Sequence, residues 1–171
     1  MRLGVVTAAF IATVYAANWL VENVGPIRVW PTNFYAPAGV YVVGLAFVLR
    51  DYIQWRGSKR LALAAIAVGT ALSVFVSPTL ALASACAFAA SECVGLGAFW
   101  ASQRYSLAGA VLVAGVLAAA VDSVVFLWLA FHSLAFFPGQ LIAKVTMSLL
   151  AVPVVLLVRN GGSLLPRHAS P

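Results

Sequence analysis

Six apolar runs, each close to the length of a membrane-spanning helix and joined by short polar links, leave this chain very few folds. They lie at about 3–21, 36–53, 61–77, 79–101, 106–131 and 138–159. A spanning helix needs roughly 20 consecutive apolar residues, within a range of about 17–25. The third run is short and the fifth long, differences that tilt absorbs. Only 8% of the 171 residues are charged and 64% are hydrophobic, whereas an ordinary soluble domain carries about 25% charged residues. A soluble core of this size cannot hide that much apolar surface, so lipid is the solvent for most of it. The expected fold is all-α: a polytopic membrane protein with six transmembrane helices in one domain, residues 1–160. Residues 161–171, rich in Gly, Ser, Pro and Arg, read as a disordered cytoplasmic tail.

Local punctuation agrees with these boundaries. Ser77-Pro78 offers an N-cap followed by proline at the first helical position, which separates two helices by a tight turn. Phe137-Pro138-Gly139 opens the last helix in a similar way, and Pro153 falls inside it as a candidate kink. Orientation follows from Lys and Arg. Arg2, the group Arg50, Arg56, Lys59 and Arg60, then Arg104, Arg159 and Arg167 all fall on one side of the bundle, and only Arg28 falls on the other. The positive-inside rule places both termini in the cytoplasm of a cell (inner) membrane. Trp19, Trp30, Trp55 and Trp100 sit near segment ends, where an interfacial aromatic belt lies. The first run also has the shape of a cleavable signal peptide, with Arg2 before it and Ala16-Ala17 near its end. The later loops keep their sides in either case.

The net charge of +6 is therefore topological and does not indicate nucleic acid. Cys86 and Cys93, seven apart in one run, share a helix face at a separation too large to bridge. With only His132 and His168, and no Cys/His/carboxylate cluster at ligand spacing, neither a metal nor another cofactor is expected. The chain lacks a Ser/His or paired-carboxylate motif, so no catalytic residue and no enzyme activity are expected either.

Three charges contradict the hydrocarbon around them: Glu92, Asp122 and Lys144. Each costs roughly 2.5–3.5 kcal/mol at a bilayer centre on insertion scales, and the chain has only four acidic residues in all. Helical spacing collects polar positions into stripes. These are Gln140, Lys144 and Ser148 in the sixth run; Ser84, Phe88, Ser91, Glu92, Gly95 and Phe99 in the fourth; Gly115, Ala118, Asp122, Phe126 and Leu129 in the fifth; and Tyr15, Asn18 and Glu22 in the first. At 1.5 Å per residue, Lys144 lies about 9 Å from the outer end of its helix, Asp122 about 14 Å and Glu92 about 20 Å. Asp122 and Lys144 can share an outer layer, with Glu92 deeper. A simple Asp122–Lys144 clamp leaves Glu92 unexplained, whereas an outward-opening substrate pocket with Glu92 toward its floor accounts for all three. Ala8, Ala12 and Ala16, spaced by four, suit close helix approach, either within the bundle or against a partner subunit or second copy.

These residues resemble the VUT family of queuosine-precursor transporters, which are similar in architecture to the substrate-binding components of energy-coupling-factor vitamin transporters. The matching pieces are Ala17-Asn18-Trp19; the run PAGVYVVGLAFVLRDYIQWRGSKRLA with Asp51; LALASACAFAASECVGLGAFW ending its serine-rich part in Ser91-Glu92; and VDSVVFLWLAF followed by QLIAKVTMSLLAVP, carrying Asp122 and Lys144. They span roughly residues 15–155. The resemblance implies import of 7-cyano-7-deazaguanine or its 7-aminomethyl analogue. A guanine-like edge presents a ring N–H beside an amine, and one carboxylate, Glu92 or Asp122, can accept both. Lys144 or Gln140 can donate to the ring carbonyl, while Phe34, Tyr35, Tyr41, Phe88 and Phe126 offer flat faces for stacking. The implied substrate-binding set is Asn18, Phe34, Tyr41, Phe88, Glu92, Asp122, Phe126, Gln140 and Lys144. Arg50 and Asp51 are assigned to an inner gate or a structural pair. Two other readings remain: a vitamin-binding component that docks on a separate energising complex through Ala8, Ala12 and Ala16, and a non-transport scaffold whose charges only hold helices together.

Overall fold

The computed structural model describes residues 3–102 and 107–161, with side chains described except at positions 48, 51, 54, 55, 99, 100, 107–112, 148 and 151–161. Six helices and one small hairpin make up the chain: α1 (Leu3–Val24), β1 (Pro26–Arg28), β2 (Tyr35–Pro37), α2 (Val40–Arg56), α3 (Lys59–Ser73), α4 (Pro78–Ser102), α5 (Leu107–Phe131) and α6 (Phe137–Gly161). The expected tail lies, from residue 162 onward, outside the described residues.

The hairpin is the one element that apolar periodicity does not announce. Helix α1 stops at Gly25, whose φ of 75° is the left-handed geometry that commonly ends a helix. The chain then pairs antiparallel, Pro26 with Pro37 and Arg28 with Tyr35. Consequently α2 begins at Val40 and not near 36, because Tyr35–Pro37 is strand. Arg28 donates to the Thr32 carbonyl at 2.8 Å and to Asn33 Oδ1 at 2.6 Å. The lone basic residue on this side therefore ties down the hairpin loop.

Side-chain caps set other boundaries. Ser77 Oγ accepts from Leu80 N at 3.5 Å, as the Ser77-Pro78 pattern implies. Ser58 Oγ accepts from Leu61 N at 3.1 Å, so α3 starts at Lys59, before the expected 61, and ends at Ser73. Helix α6 continues through Pro153. Arg50 lies inside α2, which runs on to Arg56, beyond the expected end at 53.

Among the described residues, three helices are long and apolar enough to cross a membrane: Leu3–Val24, Pro78–Ala98 and Val113–Phe131. Helix α3, with 15 residues, is about 22 Å long, short of the ~30 Å hydrocarbon core. Large apolar side chains such as Val5, Trp19, Leu82, Val116, Trp128 and Leu149 lie exposed. So broad an apolar exterior suits lipid and not water. Cys86 and Cys93 are free and exposed on it. Ala8 and Ala12 are exposed and Ala16 half-buried, so this small-residue stripe does not serve packing among the described helices.

The helices form two groups. Helices α4 and α5 pack against each other extensively, while α1 packs on α2 and α3, and α6 on α2 and the hairpin. Three apolar cores hold them. Val6, Phe10, Ala46, Ile53, Ala62 and Ala65 join α1, α2 and α3. Val21, Leu80, Ala83, Ala87, Phe126 and Leu127 join α1 to the α4–α5 pair near the hairpin end. Val29, Ala36, Val40 and Ala143 seat the hairpin on α2 and α6. Close approach depends on glycine at Gly39, where a Cβ would run into the Ala17 carbonyl oxygen, and at Gly139, where it would run into that of Tyr35.

Candidate functional site

Between the α4–α5 pair and the other four helices runs a seam, and the interior polar bridges cross it. From α1, Asn18 is buried; its amide donates to the Val14 carbonyl at 3.3 Å and its Oδ1 accepts from Ser84 Oγ of α4 at 2.8 Å. From α6, Lys144, only 1% exposed, donates to Asp122 Oδ2 and, at 2.9 Å, to Ser123 Oγ, both on α5. From α2, Arg50 Nη1 meets Glu92 Oε1 of α4 at 2.5 Å. Each group sits where helical spacing puts it on the inward face, and each finds its partner on the opposite side of the seam. Burying an ion in this environment is tolerable only with a partner and further hydrogen bonds. Ser123 supplies one of these and in turn donates to the Ala119 carbonyl at 2.8 Å.

The bridges border a cavity lined by all six helices, with a volume of about 100 Å³. That is below the roughly 300–1,000 Å³ range of small-molecule pockets, so the cavity must widen to admit a ligand of that class. Its polar lining comprises Asn18, Ser84, Asp122, Gln140, Lys144, Arg50, Thr13 and Thr70, set among Phe10, Phe47, Phe88 and Phe126. A second cavity, of about 310 Å³, lies farther from the hairpin and is lined by Phe47, Arg50, Ser91, Glu92, Gly95 and Leu96 and by Ala114, Gly115, Ala118 and Ala119 of α5. Phe47 and Arg50 line both. The Arg50 guanidinium lies 5.2 Å from the Phe47 ring centre and 5.8 Å from that of Phe88, within cation–π range. Arg50 and Phe47 thus stand between the two cavities, with Phe88 on the side of the first and Glu92 on the side of the second.

Six of the nine substrate-binding residues expected from sequence line the first cavity: Asn18, Phe88, Asp122, Phe126, Gln140 and Lys144. Glu92 faces the second, bonded to Arg50. Phe34 and Tyr35 are exposed on the hairpin, and Tyr41 packs against the core under it; none of the three lines either cavity. The Asp51 and Ser148 side chains lie outside the described residues. The supposed Tyr15–Asn18–Glu22 stripe divides: Asn18 is buried, while Tyr15 and Glu22 are exposed. Sequence spacing did not reveal Phe10, Phe47 or Ser123, although Ser123 follows Asp122 directly. The stripes on α4 and α5 hold in part, from the first cavity to the second: Ser84 and Phe88 then Ser91, Glu92 and Gly95, and Phe126 and Asp122 then Ala118 and Gly115; Leu129 is exposed, and the Phe99 side chain lies outside the described residues.

Among the described residues no group of His, Cys, Asp and Glu could hold a metal ion. The charges form two cation–carboxylate pairs, Arg50 with Glu92 and Lys144 with Asp122, so the lining has no net charge to offer an ion. The lining offers phenylalanine faces beside amide, hydroxyl and carboxylate edges. No family model, no curated protein and no solved structure matches this chain.

Proposed function

We propose that this protein is a six-span membrane transporter, both termini cytoplasmic, that imports a queuosine precursor, a 7-substituted 7-deazaguanine, across the inner membrane. The observation that carries this reading is that, among the described residues, the interior charges Arg50, Glu92, Asp122 and Lys144 pair across one seam, beside two cavities that share Phe47 and Arg50. A bundle that only needed to hold together would be served as well by apolar packing. Intramembrane ionisable groups beside a cavity are instead the ordinary mark of a substrate pathway. The cavity near the hairpin takes the substrate from outside, the Arg50–Glu92 pair parts, and the far cavity releases it. Movement of the α4–α5 pair against the other four helices lengthens all three polar bridges together, which makes the seam a natural place for alternating access.

The charge balance supports the cyano form over the aminomethyl form. The first is neutral, whereas the second carries an ammonium, and both described carboxylates that line the cavities, Asp122 and Glu92, already hold a cation. A single experiment tests the function. Cells unable to make the precursor are given the gene and external 7-cyano-7-deazaguanine, and queuosine in their tRNA is measured. A rise above the empty vector is expected. No rise, with the protein present in the membrane, rejects transport of this substrate.

A second reading rests on the exposure of Ala8 and Ala12 on α1. It makes the chain a substrate-binding component docked on a separate energising complex, and it predicts that membrane and ATPase subunits co-purify with it.

A further inference from the structure

Gln140 has the one incomplete hydrogen-bonding group among the described buried side chains. It stands in the first turn of α6, one turn before Lys144 and on the same face. Only 4% of it is exposed, and it lines the cavity near the hairpin. Its Oε1 is buried and accepts no hydrogen bond. The groups around it are satisfied: Asn18 Oδ1 by Ser84, and Lys144 by Asp122 and Ser123. A buried acceptor with no donor is destabilising, and orphans of this kind are few enough in native proteins that each calls for a cause. Methionine has nearly the same length and shape and no such penalty. Glutamine at this position is therefore a liability for the empty protein.

We infer that Gln140 is a specificity-determining residue that accepts a hydrogen bond from an N–H of the bound molecule. The last torsion of a glutamine side chain is broad, so the amide can turn its oxygen toward the cavity when a donor arrives. Asp122 stands at the tip of Lys144, which engages only Oδ2, leaving the other carboxylate oxygen for a second donor. Gln140 and Asp122 together present two acceptors beside one cation. That combination selects a neutral heterocycle with adjacent N–H donors and a carbonyl, and disfavours one in which the exocyclic amine is missing. This assignment rests on the proposed function and reverses the sequence-based role of Gln140 as donor to the ring carbonyl.

The experiment uses the full-length protein in lipid nanodiscs. Two quantities are read: the melting temperature of the empty protein, and the affinities for 7-cyano-7-deazaguanine and for its analogue lacking the 2-amino group. The wild type should prefer the amine-bearing molecule by tenfold or more. Gln140→Met should leave the empty protein melting at the same temperature or higher, while the preference falls to within about twofold. Gln140→Glu, which keeps an acceptor, should retain the preference. A wild-type preference that survives Gln140→Met overturns this proposal alone. So does a lower melting temperature of empty Gln140→Met with the preference intact, since that is the behaviour of a structural residue. A wild type that binds neither molecule overturns the proposal together with the reading it rests on.

Discussion

Replacing Lys144 by methionine tests whether the seam is held by compensated charge. The side chain is 1% exposed and its carboxylate partner 13%, so the pair belongs to the buried class. Removing one member of such a pair costs about 3–5 kcal/mol, because the other is left as an uncompensated buried charge. In Lys144→Met, Asp122 keeps no cation. In Asp122→Asn, Lys144 keeps hydroxyl and amide partners but no counter-charge. The double variant removes both ions and leaves groups of similar volume, an exchange that is often close to neutral. Each single change should therefore destabilise by about 3–5 kcal/mol and the double by much less than either, giving a large coupling energy in a double-mutant cycle. Equilibrium unfolding in bicelles measures all four proteins. Arg50 and Glu92 are 18% and 21% exposed, so Arg50→Gln should be milder than Lys144→Met. A single Lys144→Met cost below about 1 kcal/mol, or costs that simply add in the double, would refute the argument. Uptake then decides the role of the pair. A stable double variant that still transports makes Asp122–Lys144 a clamp, and a stable one that does not makes it part of the substrate site.

Other expectations follow from the same geometry. Glu92→Gln and Asp122→Asn should each lower uptake more than Arg28→Gln, since Arg28 contacts only the hairpin loop through its described bonds to Thr32 and Asn33; equal losses across the three would contradict the assignment. Gly39→Ala places a methyl group against the Ala17 carbonyl and should destabilise by about 1–3 kcal/mol. Gly97→Ala, with nothing within 4 Å of the new carbon, should be neutral or stabilising by about 0.5–1 kcal/mol; thermal melting separates the two. Cys86 and Cys93 should both be alkylated by maleimide after unfolding in detergent without prior reduction. Seven helical residues place them about 10 Å apart along the axis, beyond the ~7 Å limit for a bridge, and a disulfide seen by mass spectrometry would overturn the helical placement.

Much of this protein is legible without coordinates. Apolar runs longer than a soluble core can use show that membrane is the solvent, and six of them mark six helices. Ser77-Pro78 marks the start of α4 because its cap is local. Depth along a helix is also local, so counting residues was enough to bring Asp122 and Lys144 to one layer. The hairpin escaped because its strands are three residues each, too short for alternation to register. The partner of Glu92 escaped for a different reason. Arg50 is 42 residues away on α2, and spacing within one helix does not say which residue of another helix stands opposite.

Spacing along one helix states which residues share a face, since the period of 3.6 is a property of the backbone itself. It does not state which face of which other helix stands opposite. That choice follows from how all six helices rotate and pack, and it sent Glu92 to Arg50 in place of the substrate layer, Phe34 and Tyr41 away from the cavity, and the Gln140 oxygen to a place with no donor. Sequence alone determined the apolar character, the helices and the position of each charge along its helix, because those depend on a residue and its near neighbours. Only the tertiary structure decided the partners and the two cavities, because those depend on side chains brought together from helices far apart in the chain.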